Sequence, residues 1–253
     1  MARLQQSAPD RWVLKGGFAL ELRLGGQART TRDIDLDWRT TLHDPTEVLL
    51  EAASLDLHDY FDFDVERAGE ADLLGAVRYR ANASIAGRLF EQLLIDIGID
   101  QAHFEPAEEL TTPDLLGFAG IEPVRIPAAP LEQHLAEKLH AYTRRYGPGH
   151  ASSRPKDLID MVLISELADF QAQRLRQVVE GVFSTRTTHE LPTRFPPPSS
   201  QWARPYRILA TEVGVDPDPR HGHGQVARLL DPLLAGISEE HRWDREALVW
   251  RPP

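Results

Sequence analysis

Apolar positions along this chain follow two rhythms, and the rhythm changes near its middle. Residues 11–15, RWVLK, form a short apolar run that predicts a buried strand, ended by Gly16 and Gly17. In the following FALELRLG, Phe18, Ala19 and Leu22, with Leu20 and Leu24, are grouped at helical spacing, and Gly25-Gly26 marks the end of that short helix. DIDLDW at 33–38 alternates strictly and predicts a second strand. Residues 45–58 predict a helix, with Pro45 in its first turn and Asp44 as a cap. GAVRYRANASIAG and RLFEQLLIDIGID then read as two strands of a hairpin turning at Ala86-Gly87. Arg78, Arg80 and Asn82 share one face of the first strand. In the second, Leu93, Ile95, Ile97 and Ile99 share one face, and Asp96, Gly98 and Asp100 the other.

Beyond a turn-rich stretch ending at Pro130 the period becomes helical. LEQHLAEKLHAYTRR repeats Leu131, Leu135, Leu139 and Tyr142 at steps of three and four, and KDLIDMVLISELADF and QAQRLRQVVEGVF follow suit. The Pro-rich segment at 191–200, LPTRFPPPSS, predicts a linker or extended wrap, because proline fixes φ and lacks a donor. Trp202 and Tyr206 are expected to anchor that wrap, and QVARLLDPLLAGI predicts a last helix broken or kinked at Pro232. The expected fold class is α+β, with an α+β core over 1–125 and a helical C-terminal domain over 126–253.

Composition narrows the chemistry. The chain has 253 residues and no cysteine, which excludes thiolate metal sites, cysteine nucleophiles and disulfides and suits a cytoplasmic protein. No apolar run is long enough for a bilayer and the N-terminal stretch has no signal-like apolar region, so no membrane partner is expected. A net charge of −11 argues against coating nucleic acid by bulk electrostatics. One local exception is the segment from 138 to 156, where Lys138, His140, Arg144, Arg145, His150, Arg154 and Lys156 occur without a carboxylate. That segment is either a solvated basic loop or a polyanion-binding surface.

The alternation at 33–38 poses a physical question. Asp33, Asp35 and Asp37 share one strand face, where like charges side by side are costly unless a cation neutralises them. That face looks into water or holds a metal. Mg²⁺ takes hard oxygen ligands, and a carboxylate on a neighbouring strand would complete a clamp. Asp96, set among aliphatics in LLIDIGI, is placed for this role. The glycines at 16 and 17, between a strand and a helix, suit a backbone that approaches a phosphate closely.

LKGGFALELRLGG with RTTRDIDLD, then LLIDIGID, then AEKLHAYTRR with RPKDLIDMVLI, together resemble the AbiEii/AbiGii toxin-like nucleotidyltransferases, a branch of the DNA polymerase β-like superfamily. The resemblance spans roughly residues 11 to 170. It implies a nucleotidyltransferase-type mixed sheet with flanking helices, a triphosphate held at Gly16 and Gly17, and Mg²⁺ or Mn²⁺ on Asp33, Asp35 and Asp96. Asp96 is also implied as the base for the acceptor hydroxyl. Lys138 is implied as a catalytic phosphate contact, and Lys156, Asp157 and Asp160 as nucleotide-binding residues, with the inward-facing aspartate left open. Gly17 stands where the superfamily often has Ser, which removes a hydroxyl ligand and keeps the backbone donors. The implied reaction transfers NMP from an NTP to an acceptor hydroxyl, at a tRNA 3′ end, by a toxin with a cognate antitoxin. Kinase-type phosphoryl transfer, or AMPylation of a protein, on the same metal site is the alternative.

Outside the motif, Asp37 and Asp100 are expected at the surface, and Asp157 as a cap or a partner of Arg154 or Lys156. Arg29, Thr30, Thr31 and Arg32 suit a turn or a substrate contact. HGHG at 221–224, near Asp216 and Asp218, reads as a loop rather than a zinc site.

Overall fold

In a computed structural model the chain divides into two compact units, one of residues 1–25 and 30–129, the other of residues 26–29 and 130–253. The structure describes residues 1–39, 44–70, 76–99, 106–144 and 154–253. Asp100, Arg145 and His150 lie outside the described residues.

The first unit is built on one mixed sheet. Its strands are β1 (Trp12–Lys15), β2 (Asp33–Trp38), β3 (Phe61–Glu70), β4 (Val77–Ile85), β5 (Arg88–Gly98), β6 (Glu108–Thr111) and β7 (Arg125–Ala128), in the order β3-β4-β5-β2-β1-β7-β6. β2 runs parallel to β5 and β1 parallel to β7; the other neighbours are antiparallel. The helices are α1 (Ala2–Ser7), α2 (Gly16–Leu24) and α3 (Pro45–Ser54). Asp44 caps α3 by accepting from the Thr46 amide at 2.8 Å, with Pro45 in the first turn. Leu14, Leu36, Trp38, Val48, Leu49, Tyr79, Ile95, Ile97 and Ile126 belong to the buried core. The alternation in β2 therefore does what its sequence indicates: Ile34 and Leu36 serve the core and the aspartates take the other face.

The hairpin of β4 and β5 turns at Ala86 and Gly87, both at positive φ (49° and 73°), the backbone a two-residue turn needs to match strand twist. Three strands of this unit were not legible in the pattern. β3 is acidic and half-exposed, and β6 and β7 are four residues each, inside the stretch that reads as turns.

The second unit is helical: α4 (Leu131–Thr143), α5 (Pro155–Leu167), α6 (Ala172–Arg186), α7 (Ala203–Val213) and α8 (Pro219–Leu234), closed by a hairpin of β8 (Arg242–Asp244) and β9 (Val249–Arg251). The Pro-rich segment has no regular structure. Its Phe195 is buried and stacks between Tyr142 and His223, with ring centroids at 4.7 and 5.0 Å, and Trp202 and Tyr206 are buried as expected of anchors. HGHG is not a loop but the opening of α8. Asp218 caps it and His221 pairs with Asp216 at 2.8 Å. Gly222 is needed because a Cβ there would sit 2.1 Å from the Tyr206 hydroxyl. Pro232 falls in the last turn and α8 runs past it to Leu234. Among the described residues no helix is long and apolar enough to cross a membrane.

Candidate active site

The acidic strand lies mid-sheet, between β5 and β1. In the β2/β5 register Asp35 stands directly opposite Asp96, and Asp33 opposite Leu94. Neighbouring strands are about 4.8 Å apart and cross-strand partners point to the same face. Asp33, Asp35 and Asp96, from two segments sixty residues apart in sequence, thus share one face, each half-buried. Hard carboxylate oxygens on adjacent strands suit a divalent cation such as Mg²⁺. Among the described residues no three acidic or histidine side chains are drawn together tightly enough to enclose an ion. Asp96 instead holds a guanidinium: Arg78, its partner on β4, donates from Nε to Oδ1 at 2.7 Å and from a terminal nitrogen to Oδ2 at 2.6 Å.

Gly16 fits tightly against this face. It opens α2 at φ +69°, and a Cβ built there would lie 1.8 Å from Asp35 Oδ2. No other residue type leaves room for that carboxylate. Lys15, before it, makes no side-chain cap, and the first amides of a helix lack intrahelical partners, an arrangement suited to anions. Gly17 is the buried second residue of the same turn.

Asp37 departs from the surface position expected of it. It is 2% exposed and ion-paired with Lys15 on β1. This answers the charge problem of the strand. Lys15 neutralises Asp37, and Arg78 offsets the rest: its hydrogen bonds to Asp96 hold the guanidinium charged against burial, and Asp33 and Asp35 reinforce them.

The second unit gathers the other residues that the motifs single out. Lys138 on α4 meets Asp160 on α5 at 2.7 Å and Asp157 at 3.7 Å. Arg29 donates to both oxygens of Asp160, at 2.9 and 3.0 Å, and Arg154 lies 2.9 Å from Asp157. Both aspartates are fully buried. Burial lowers the Lys138 ammonium, but Asp160 and Asp157 outweigh it and leave its pKa above the ordinary 10.5. Burial raises Asp160, yet Lys138 and Arg29 bring it down to about 2. For Asp157 burial prevails and its pKa is raised. Lys156 is lowered by burial and then by Arg154, Arg29 and Lys138, the mark of a cation among cations. The basic segment is therefore not one exposed loop, since Lys138 is mostly buried and His140 is 1% exposed. His140 packs against Phe183 and His189, and burial with the charges of Arg186, His189 and Arg144 pulls its pKa to about 3.

The expected pairing of Asp157 with Arg154 is present at 2.9 Å, while sequence reasoning missed the roles of Arg78 and Lys15 and left Arg29 undecided. Their signal is only positional: each is a basic residue that the folded backbone sets against an aspartate already singled out.

A mixed sheet with an Asp-x-Asp strand beside a glycine-opened helix, joined to a helical C-terminal half, defines a nucleotidyltransferase-type protein. The family model "Nucleotidyl transferase AbiEii toxin, Type IV TA system" matches residues 1–244, and the chain belongs to that family. It is a nucleotidyltransferase toxin of the type IV toxin–antitoxin class. Among solved structures, MenT4, a nucleotidyltransferase toxin from Mycobacterium tuberculosis H37Rv, is similar in fold at a TM-score of 0.56 and 20% identity. The match covers 92% of this chain and 88% of that one. No curated protein matches the sequence.

Proposed function

We propose that this protein moves an NMP from an NTP to an acceptor hydroxyl, with Mg²⁺ or Mn²⁺ held by Asp33, Asp35 and Asp96, and that the acceptor is the 3′ end of a tRNA. The observation that carries this reading is Asp35 abreast of Asp96 on parallel neighbouring strands, with Gly16 pressed against the Asp35 carboxylate. The bound divalent ion would supply charge neutralisation at the phosphates and activation of the attacking oxygen. The chain's own residues do the rest. The amides at the start of α2, from Gly16 and Gly17, receive the triphosphate oxygens. Asp96 accepts the proton of the acceptor hydroxyl, and in-line attack at the α-phosphorus expels pyrophosphate. Most of the catalysis is positioning and charge neutralisation.

Lys138 and Lys156 are assigned to the phosphates. Asp157 and Asp160 orient Lys138, so that this buried cation keeps its charge and its direction. In this reading the protein acts in the cytoplasm and is restrained by a cognate antitoxin, as the family's type IV classification supports.

The test is transfer from each of the four NTPs, α- and γ-labelled, into total RNA and total protein. The proposal expects α-label in small RNA, lost in Asp35→Asn. Label from the γ position would replace it with a kinase reading, and α-label in protein would replace it with AMPylation.

A further inference from the structure

Arg78 is a residue that the proposed chemistry does not use, yet it makes a two-hydrogen-bond contact on the acidic face. Two charge-assisted hydrogen bonds, at 2.6 and 2.7 Å, occupy one lone pair on each oxygen of Asp96. The geometry is the parallel fork in which guanidinium matches carboxylate best. The Arg78 side chain is 36% exposed and that of Asp96 17%, so the pair lies at the solvent-facing side of the sheet rather than in its core. Arg80, two residues on along the same strand, pairs instead with Glu66 on β3, so the two arginines have separate partners.

We propose that Arg78 is a built-in counter-ion of Asp96 that competes with the divalent ion for that carboxylate. This rests on the metal-dependent reading above. Three half-buried carboxylates on one face repel one another, and a sheet carrying them without a cation would be strained electrostatically. Arg78 relieves that repulsion in the free protein. A divalent ion claiming Asp96 must break both hydrogen bonds and release a guanidinium at the site's edge, where a planar two-donor fork suits phosphate. Arg78 is thus a positioning residue for Asp96 that sets how readily metal binds.

The experiment is titration of the full-length protein with Mn²⁺ alone, without nucleotide, reading bound ion by electron paramagnetic resonance and the melting temperature of the metal-free protein. The proteins compared are wild type, Arg78→Gln, Arg78→Lys and Asp35→Asn. Both charge-assisted hydrogen bonds must break before the ion can claim Asp96, so Arg78→Gln is expected to bind Mn²⁺ roughly tenfold or more tightly than wild type. Its metal-free form should melt lower and gain more from Mn²⁺. Arg78→Lys, a point charge without the fork, should fall between them and keeps the test valid if the glutamine variant folds poorly. Equal or weaker Mn²⁺ binding in both Arg78 variants, with binding still lost in Asp35→Asn, overturns the counter-ion role and leaves the metal reading standing. Absence of Mn²⁺ binding in wild type and Arg78 variants alike would remove the metal reading and this inference together.

Discussion

Replacing Lys138 with Met should destabilise the helical unit as well as remove a phosphate contact. Lys138 is in ion-pair contact with both buried aspartates of α5, 2.7 Å from Asp160 and 3.7 Å from Asp157. Removing one partner of a buried pair leaves an uncompensated charge and costs about 3–5 kcal/mol. Arg29 still holds Asp160 through two hydrogen bonds, which places the expectation at the lower end, about 3 kcal/mol. For a chain of this size each kcal/mol moves Tm by about 2–4 °C, so Lys138→Met should melt roughly 6–12 °C below wild type. The assay is thermal and urea unfolding followed by circular dichroism. Adding Asp160→Asn to Lys138→Met should restore part of the loss, because the stranded charge is gone, while leaving transfer activity absent. A single variant that melts within a degree of wild type would refute the buried-charge argument and return Lys138 to the status of a solvated side chain.

Other consequences follow from the same geometry. Gly16→Ala places a methyl 1.8 Å from Asp35 Oδ2 at a left-handed backbone, so transfer should fall by at least about a hundredfold, with a stability loss of ~1–3 kcal/mol, read by labelled-nucleotide assay and urea titration. Asp160 is held at about 2 against an ordinary 3.8, so its charge stabilises fully above pH 3.8 and the contribution is lost as pH falls through about 2. Asp160→Asn should therefore cost at least about 2 kcal/mol at pH 7 in urea unfolding. Asp157 has the opposite sign. Its raised pKa gives a contribution present below 3.8 and lost as pH rises through the folded value, and neither of its oxygens is hydrogen-bonded among the described residues. Asp157→Asn should be neutral or stabilising at pH 7 in the same titration, and a loss as large as that of Asp160→Asn would contradict the assignment. Asp44→Ala should cost about 1 kcal/mol through loss of the α3 cap, visible as a lower urea midpoint with unchanged slope.

Local rules act within a few residues, and whatever they govern was legible before any fold was known. Strict alternation at 33–38 fixes three aspartates on one face, because side chains on a strand repeat every two residues. Helical spacing of Leu131, Leu135 and Leu139 fixes α4, and Asp44-Pro45 fixes the start of α3. Gly16 and Gly17 could be recognised as a turn that needs bare backbone. The short strands β6 and β7 escaped notice because four residues carry too little periodicity to stand out from turns. The opening of α8 escaped because its glycines and histidines are poor helix formers, retained where Gly222 makes room for Tyr206.

What the sequence could not decide is which opposite charge meets which aspartate, since that depends on strand register. Ser84 faces Leu89 next to the hairpin turn; carried on unchanged, that register would set Arg78 against Ile95, with its side chain on the face away from Asp96. A bulge after Ser84 places Ala83 opposite Glu91 instead and brings Arg78 into line with Asp96. The parallel pairing of β2 with β5, a contact across sixty residues, sets Asp35 beside Asp96, and the antiparallel β1 gives Asp37 its lysine. Composition and periodicity supply the carboxylates and the face they occupy. Only the long-range pairing of strands and the packing of α4 on α5 determine which basic residue each of them meets, because register and packing are settled by contacts that no local pattern records.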